Sequence, residues 1–82
     1  MPHDQRSDAR IFDAGELSCG TGLAAEVRRR IATIDVGERL AIVTCDPAAR
    51  EDLPSLMRLL GHQVLSIDRA GDSTTITVER TR

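Results

Sequence analysis

Apolar residues recur along the chain in two rhythms. Leu23, Val27, Ile31 and Ile34 return every three to four positions, with Glu26, Arg28, Arg29 and Arg30 on the other faces. This spacing puts one apolar stripe on an amphipathic helix. The pattern predicts a helix ending near Asp35, with Gly37 in the turn that leaves it. Leu53, Leu56, Met57 and Leu60 repeat the stripe further on. Ahead of it Asp46 suits a helix cap, Pro47 suits a first-turn position, and Gly61 behind it suits a stop. Pro54 interrupts this second pattern. A proline inside a helix costs about 3 kcal/mol, so the regular helix is expected to begin at or just before Pro54, with a turn or kink upstream.

The other rhythm is extended. "ARIFD" reads as a short strand, and "RLAIVTC" as a buried one rich in Leu, Ile, Val and Thr. "HQVLSID" and "STTITVER" follow as a hairpin pair, joined by "RAGD" with Gly71 placed for the turn. In the last strand Thr74, Ile76 and Val78 alternate with Thr75, Thr77 and Glu79, which predicts one buried and one wet face. The order β-α-β-α-β-β leads to an α/β (α+β) two-layer sandwich. Two helices would pack on one face of a four-stranded mixed sheet, with the first two strands parallel if they are neighbours. Residues 1–9 are polar and are expected to form a flexible leading segment, leaving 10–82 as a single domain.

Composition narrows the possibilities. The chain has 82 residues, 40% of them hydrophobic and 1% aromatic, so Leu, Ile, Val and Ala must build the core around the single ring of Phe12. A net charge of −2 gives no electrostatic reason to expect nucleic acid or an anionic membrane as partner. No apolar run approaches the roughly 20 residues of a membrane span, and "MPHDQRSDAR" lacks the apolar stretch of a signal peptide. The expected location is the cytoplasm. Two cysteines, Cys19 and Cys45, are too few for a disulfide framework and are expected as free thiols. They and the distant His3 and His62 form no metal-ligand spacing, so neither metal nor cofactor is expected.

Cys19 falls in "ELSCGTGLAAEV", between a polar turn and the start of the first helix. A helix start exposes unpaired N–H groups and the positive end of the dipole, which favour a thiolate over a thiol. The position therefore suits sulfur chemistry. The plainer alternative is a small apolar side chain tucked against the sheet, against which the polar, glycine-flanked surroundings argue. Gly20 and Gly22 loosen the backbone here, add N–H donors and leave room beside the sulfur.

These residues carry a resemblance. The stretch from Asp13 through Cys19, the turn "VGERL", the segment "CDPAAREDLP" and the later "GHQVL" are similar to the TusA/SirA family of sulfur carrier proteins. The similarity runs from about Phe12 to Glu79. It implies the two-layer βαβαββ fold and a cysteine at the first helix start that accepts sulfur as a persulfide and hands it on. Cys19 stands at that cysteine's position. The family motif there is Cys-Pro-x-Pro, whereas this chain has Cys19, Gly20, Thr21 and Gly22, so both prolines are glycine. Glu16 likewise replaces the glycine usual in the preceding turn. The resemblance implies two kinds of partner: a protein sulfur donor, such as a cysteine desulfurase or a rhodanese, and a protein acceptor.

Other candidates lie nearby. Cys45 ends the predicted second strand on the rim where Cys19 is expected, as a resolving thiol or as a buried small apolar residue. Arg28, Arg29 and Arg30 form a basic patch that would dock an acidic partner, or else a solvated face with a Glu26–Arg30 pair. His62 reads as structural, and Asp46 and Asp52 as helix cap and first-turn charge. The leading reading is a sulfur carrier or sulfurtransferase with Cys19 as nucleophile. The alternative is a non-catalytic interaction or regulatory module that keeps the fold. A third is a Cys19–Cys45 redox switch.

Overall fold

The computed structural model describes residues 10–15, 17, 18, 20 and 22–82. Four strands and two helices alternate as expected: β1 (Arg10–Gly15), α1 (Leu23–Ile31), β2 (Arg39–Thr44), α2 (Pro47–Leu59), β3 (Gln63–Ala70) and β4 (Ser73–Glu79). The sheet order is β1-β2-β4-β3. β1 runs parallel to β2, while β4 is antiparallel to both β2 and β3. The mixed sheet and its two helices make the predicted two-layer sandwich.

Both helices share one core. Leu23, Val27 and Ile31 of α1 join Ala49, Leu53 and Met57 of α2 over Phe12, Leu40, Ile42, Ile76 and Val78 of the sheet. Thr74, Ile76 and Val78 are buried and alternate with half-buried Thr75, Thr77 and Glu79, as the period of two requires. Each fully buried Leu, Ile, Val or Met contributes about 1.5–3 kcal/mol. β3 is an edge strand, mostly exposed, with a bulge between Val64 and Ser66.

The first helix ends at Ile31, four residues short of Asp35. Its last turn tightens: the Thr33 N–H and hydroxyl both donate to the Arg30 carbonyl, at 3.0 and 2.6 Å. Ile34 then reaches the core from the turn, not from the helix, which is why the apolar spacing runs on past the helix. Gly37 sits at φ 93 and donates to the Arg80 carbonyl at 2.7 Å.

The expected break at Pro54 does not occur. α2 is continuous from Pro47, with Asp46 as its cap: Asp46 Oδ1 accepts from the Ala48 N–H at 3.3 Å. The missing Pro54 N–H leaves one helical bond unmade. That loss is offset because Ala49, Leu53, Pro54 and Met57 are all buried, and their packing needs a helix on both sides of the proline. The end follows the Schellman pattern: His62 N–H donates to Met57 O at 2.9 Å, Gly61 N–H to Arg58 O at 3.0 Å, and Gly61 has φ 90.

β2 ends at Thr44, so Cys45 lies one residue beyond the strand. β3 begins at Gln63, one residue later than expected, and continues through Ala70. Ala70 pairs with Ser73, which leaves Gly71 and Asp72 as a two-residue loop with φ 61 at the glycine.

Candidate functional site

The carboxyl ends of the parallel strands β1 and β2 form a single rim. Gly15 is in register with Thr44, and the Cys45 N–H donates to the Gly15 carbonyl at 3.1 Å. The chain leaves β1 by a turn in which Leu17 N–H donates to Ala14 O at 3.0 Å, and Leu17 packs on the core. The connection closes where Leu23 N–H donates to Ser18 O at 2.9 Å, followed by Glu26 N–H to Gly22 O at 3.0 Å. Cys19, Thr21 and Glu16 lie outside the described residues. Gly20, next to the cysteine in sequence, is exposed.

Gly22 is the N-cap of α1, at φ 101 and ψ 12, and gives the first turn no side-chain cap. This left-handed backbone suits glycine and excludes proline, whose ring holds φ near −65°. The connection therefore has a shape that a proline at position 22 could not take.

The three arginines have different surroundings. Arg30 Nε bonds Glu26 Oε2 at 2.9 Å, and its guanidinium stacks over the Phe12 ring, 4.3 Å from the centroid. Arg29 also pairs with Glu26. The bond from Arg30, helped by the Arg29 charge, holds the Glu26 carboxyl below its ordinary value, with desolvation opposing. Arg28 is exposed and makes no ion pair among the described residues. Of the patch, Arg28 alone has its charge uncommitted.

Cys45 is exposed, so burial as a small apolar residue is overturned. One residue past the strand, it no longer belongs to the alternation that sends Thr44 inward. It opens onto a groove of about 550 Å³ between the start of α2 and the β3–β4 hairpin. Arg50, Arg69 and Thr74 line this groove and were not among the candidate site residues read from the sequence. Arg69 and Thr74 are brought together by the hairpin register, which pairs them and sets Thr74 against Thr44, while Arg50 comes from α2.

His62 Nδ1 accepts from the Thr81 N–H at 3.3 Å, in keeping with a structural role. Burial, with the Arg80 and Arg82 charges, lowers its pKa from the ordinary 6.5. Asp52 is not the expected first-turn charge: α2 begins at Pro47 and not near Pro54, so Asp52 lies past the first turn, exposed and with no ion pair among the described residues.

Comparison with known proteins decides the family. Residues 12–80 match the family model described as Sulfurtransferase TusA. The chain belongs to the TusA family. A similar fold is found in the crystal structure of the SirA-like protein from Desulfitobacterium hafniense, with a TM-score of 0.67 and 12% identity over 88% of this chain and 97% of that one. At that identity the likeness speaks for the fold. TusA proteins are sulfur carriers that act in relay with partner proteins. Among the described residues no helix is long and apolar enough to cross a membrane.

Proposed function

We propose that this TusA-family protein accepts sulfur as a persulfide on Cys19 and passes it to an acceptor protein. The observation that carries the reading is the family match over residues 12–80, which includes the cysteine in the connection leading into α1. The uncapped first turn of α1 supports it, since backbone N–H groups at a helix start stabilise an anionic sulfur. In the transfer, the Cys19 thiolate attacks the terminal sulfur of a donor persulfide. A Cys19–S bond forms, the donor's S–S bond breaks, and the donor cysteine leaves as a thiolate.

Gly20, Thr21 and Gly22 replace the stiff motif of the family with a backbone rich in N–H donors. Arg28, free of a counterion among the described residues, is the docking charge for an acidic face on the donor, a cysteine desulfurase or rhodanese. A reducing cytoplasm would keep both thiols free.

The test compares wild type, Cys19→Ser and Cys45→Ser in sulfur transfer from a desulfurase to an acceptor, beside partner capture by each. Loss of transfer in Cys19→Ser alone, with partner capture intact, is the expected result. Unchanged cellular function in Cys19→Ser would instead favour a non-catalytic interaction module.

A further inference from the structure

The groove that Cys45 lines runs between the start of α2 and the β3–β4 hairpin. Its floor is the end of the sheet, where Thr74 is 3% exposed. The Thr74 hydroxyl makes no hydrogen bond among the described residues, an uncommon state for so buried a polar group. Thr44 beside it in register is equally buried, but its hydroxyl accepts from the Asp46 N–H at 3.1 Å. Thr74 lines the groove, and its buried hydroxyl has no partner there among the described residues.

Two cations line the same space. Arg50 reaches it from α2 and Arg69 from β3, and neither makes an ion pair or hydrogen bond among the described residues. Two carboxylates face them. Asp46 has turned one oxygen onto the Ala48 N–H as the cap of α2, while Asp72 stands at the hairpin tip. Asp46 stays an anion while it accepts that bond, so two guanidinium groups and two carboxylates line the groove with no ion pair among them, and the exposed Cys45 lines the same groove.

We propose that this groove binds small carboxylate-bearing disulfides, and that Cys45 forms a mixed disulfide with one half of the ligand. The ligand's carboxylate pairs with Arg50 and Arg69, where planar bidentate contacts are favoured. The Thr74 hydroxyl gains a partner in the ligand's polar backbone. The Cys45 thiolate then attacks one sulfur of the ligand's disulfide. A Cys45–S bond forms, the ligand's own S–S bond breaks, and its other half leaves as a thiolate with the electron pair. No further oxidant is consumed. Cys45 is thus a modification site separate from the sulfur-carrying cysteine, and the proposal does not rest on Cys19.

The experiment uses full-length Cys19→Ser protein, in which Cys45 is the single remaining thiol. Its alkylation rates with iodoacetate and iodoacetamide, reagents of like size and different charge, are followed by intact mass. The iodoacetate-to-iodoacetamide ratio is expected to exceed that of a small free thiol by about five- to tenfold, the scale of a partly exposed charge-assisted contact. In Arg50→Gln/Arg69→Gln that ratio falls to the free-thiol value or below it, since Asp46 and Asp72 remain, while the iodoacetamide rate is unchanged, which shows that the fold and the thiol's exposure survive. Glutathione disulfide gives one adduct on Cys45, formed about two- to fivefold more slowly in Thr74→Val. A ratio equal to that of the free thiol, a ratio unmoved by the double substitution, or no glutathione adduct overturns the proposal.

Discussion

The Cys45 N–H donates to the carbonyl of Gly15 at 3.1 Å, so the residue that ushers in α2 is fastened to the residue that ends β1. This one bond ties the connection carrying Cys19 to the start of the second helix. On the Cys45 side, Asp46 completes the junction: its N–H is held by Thr44 Oγ1 and its carboxylate caps Ala48. Asp46→Ala is expected to cost about 1 kcal/mol, the usual loss of a helix cap. Chemical denaturation reads the change, and an unaltered midpoint would contradict it.

The two glycines of the site differ in what they tolerate. Among the described residues, a Cβ at Gly20 would meet only Ser18 Oγ, at an ordinary 3.8 Å. Gly20→Ala is expected to be neutral or to stabilise by up to about 1 kcal/mol through the unfolded chain. Gly22 has open space around it but φ 101, so Gly22→Ala is expected to destabilise by about 1–2 kcal/mol from backbone strain alone. Gly22→Pro is expected to cost more, since proline cannot adopt that φ. Equal stabilities for the two alanine variants would refute this difference.

Arg80 fastens the far end of the sheet. Its guanidinium donates to the carbonyls of Ala32 at 3.3 Å and Ile34 at 2.5 Å, while its backbone N–H bonds Glu38 O at 2.9 Å. The turn after α1 is thus held to the residue that follows β4 by that side chain as well as by the backbone. Arg80→Met keeps the stem and removes the donors, and is expected to cost about 1.5–3 kcal/mol. Thermal unfolding of the variant checks it.

His62 gives the protein an acid-sensitive component. With its folded pKa below the ordinary 6.5, the unfolded chain takes up the proton first as pH falls. Stability present above pH 6.5 is therefore lost as pH drops toward the lowered value, and the loss levels off below it. Melting temperatures measured across this window are expected to fall with pH, and less steeply in His62→Gln. Identical slopes for the two proteins would remove His62 from the account.

Most of the fold was legible because the apolar periods of Leu23, Val27 and Ile31, and of Thr74, Ile76 and Val78, are set by one buried face each. Ile34 misled the length of α1, since a residue in a turn can reach the core at helical spacing. Pro54 misled the start of α2, since local propensity is weighed one residue at a time while burial of Ala49, Leu53 and Met57 acts together. That Cys45 lies past β2 and is exposed was not legible, because a strand's end is set by pairing and not by residue type. Arg69 and Thr74 meet through the hairpin register and Arg50 joins them from α2, a long-range meeting that no local pattern displays.

The most direct test of the account is intact-protein mass spectrometry after incubation of the reduced protein with a cysteine desulfurase and cysteine. The account predicts a gain of one sulfur atom on wild type and on Cys45→Ser, and none on Cys19→Ser. No gain on any of the three, with a known carrier labelled in the same mixture, would contradict it.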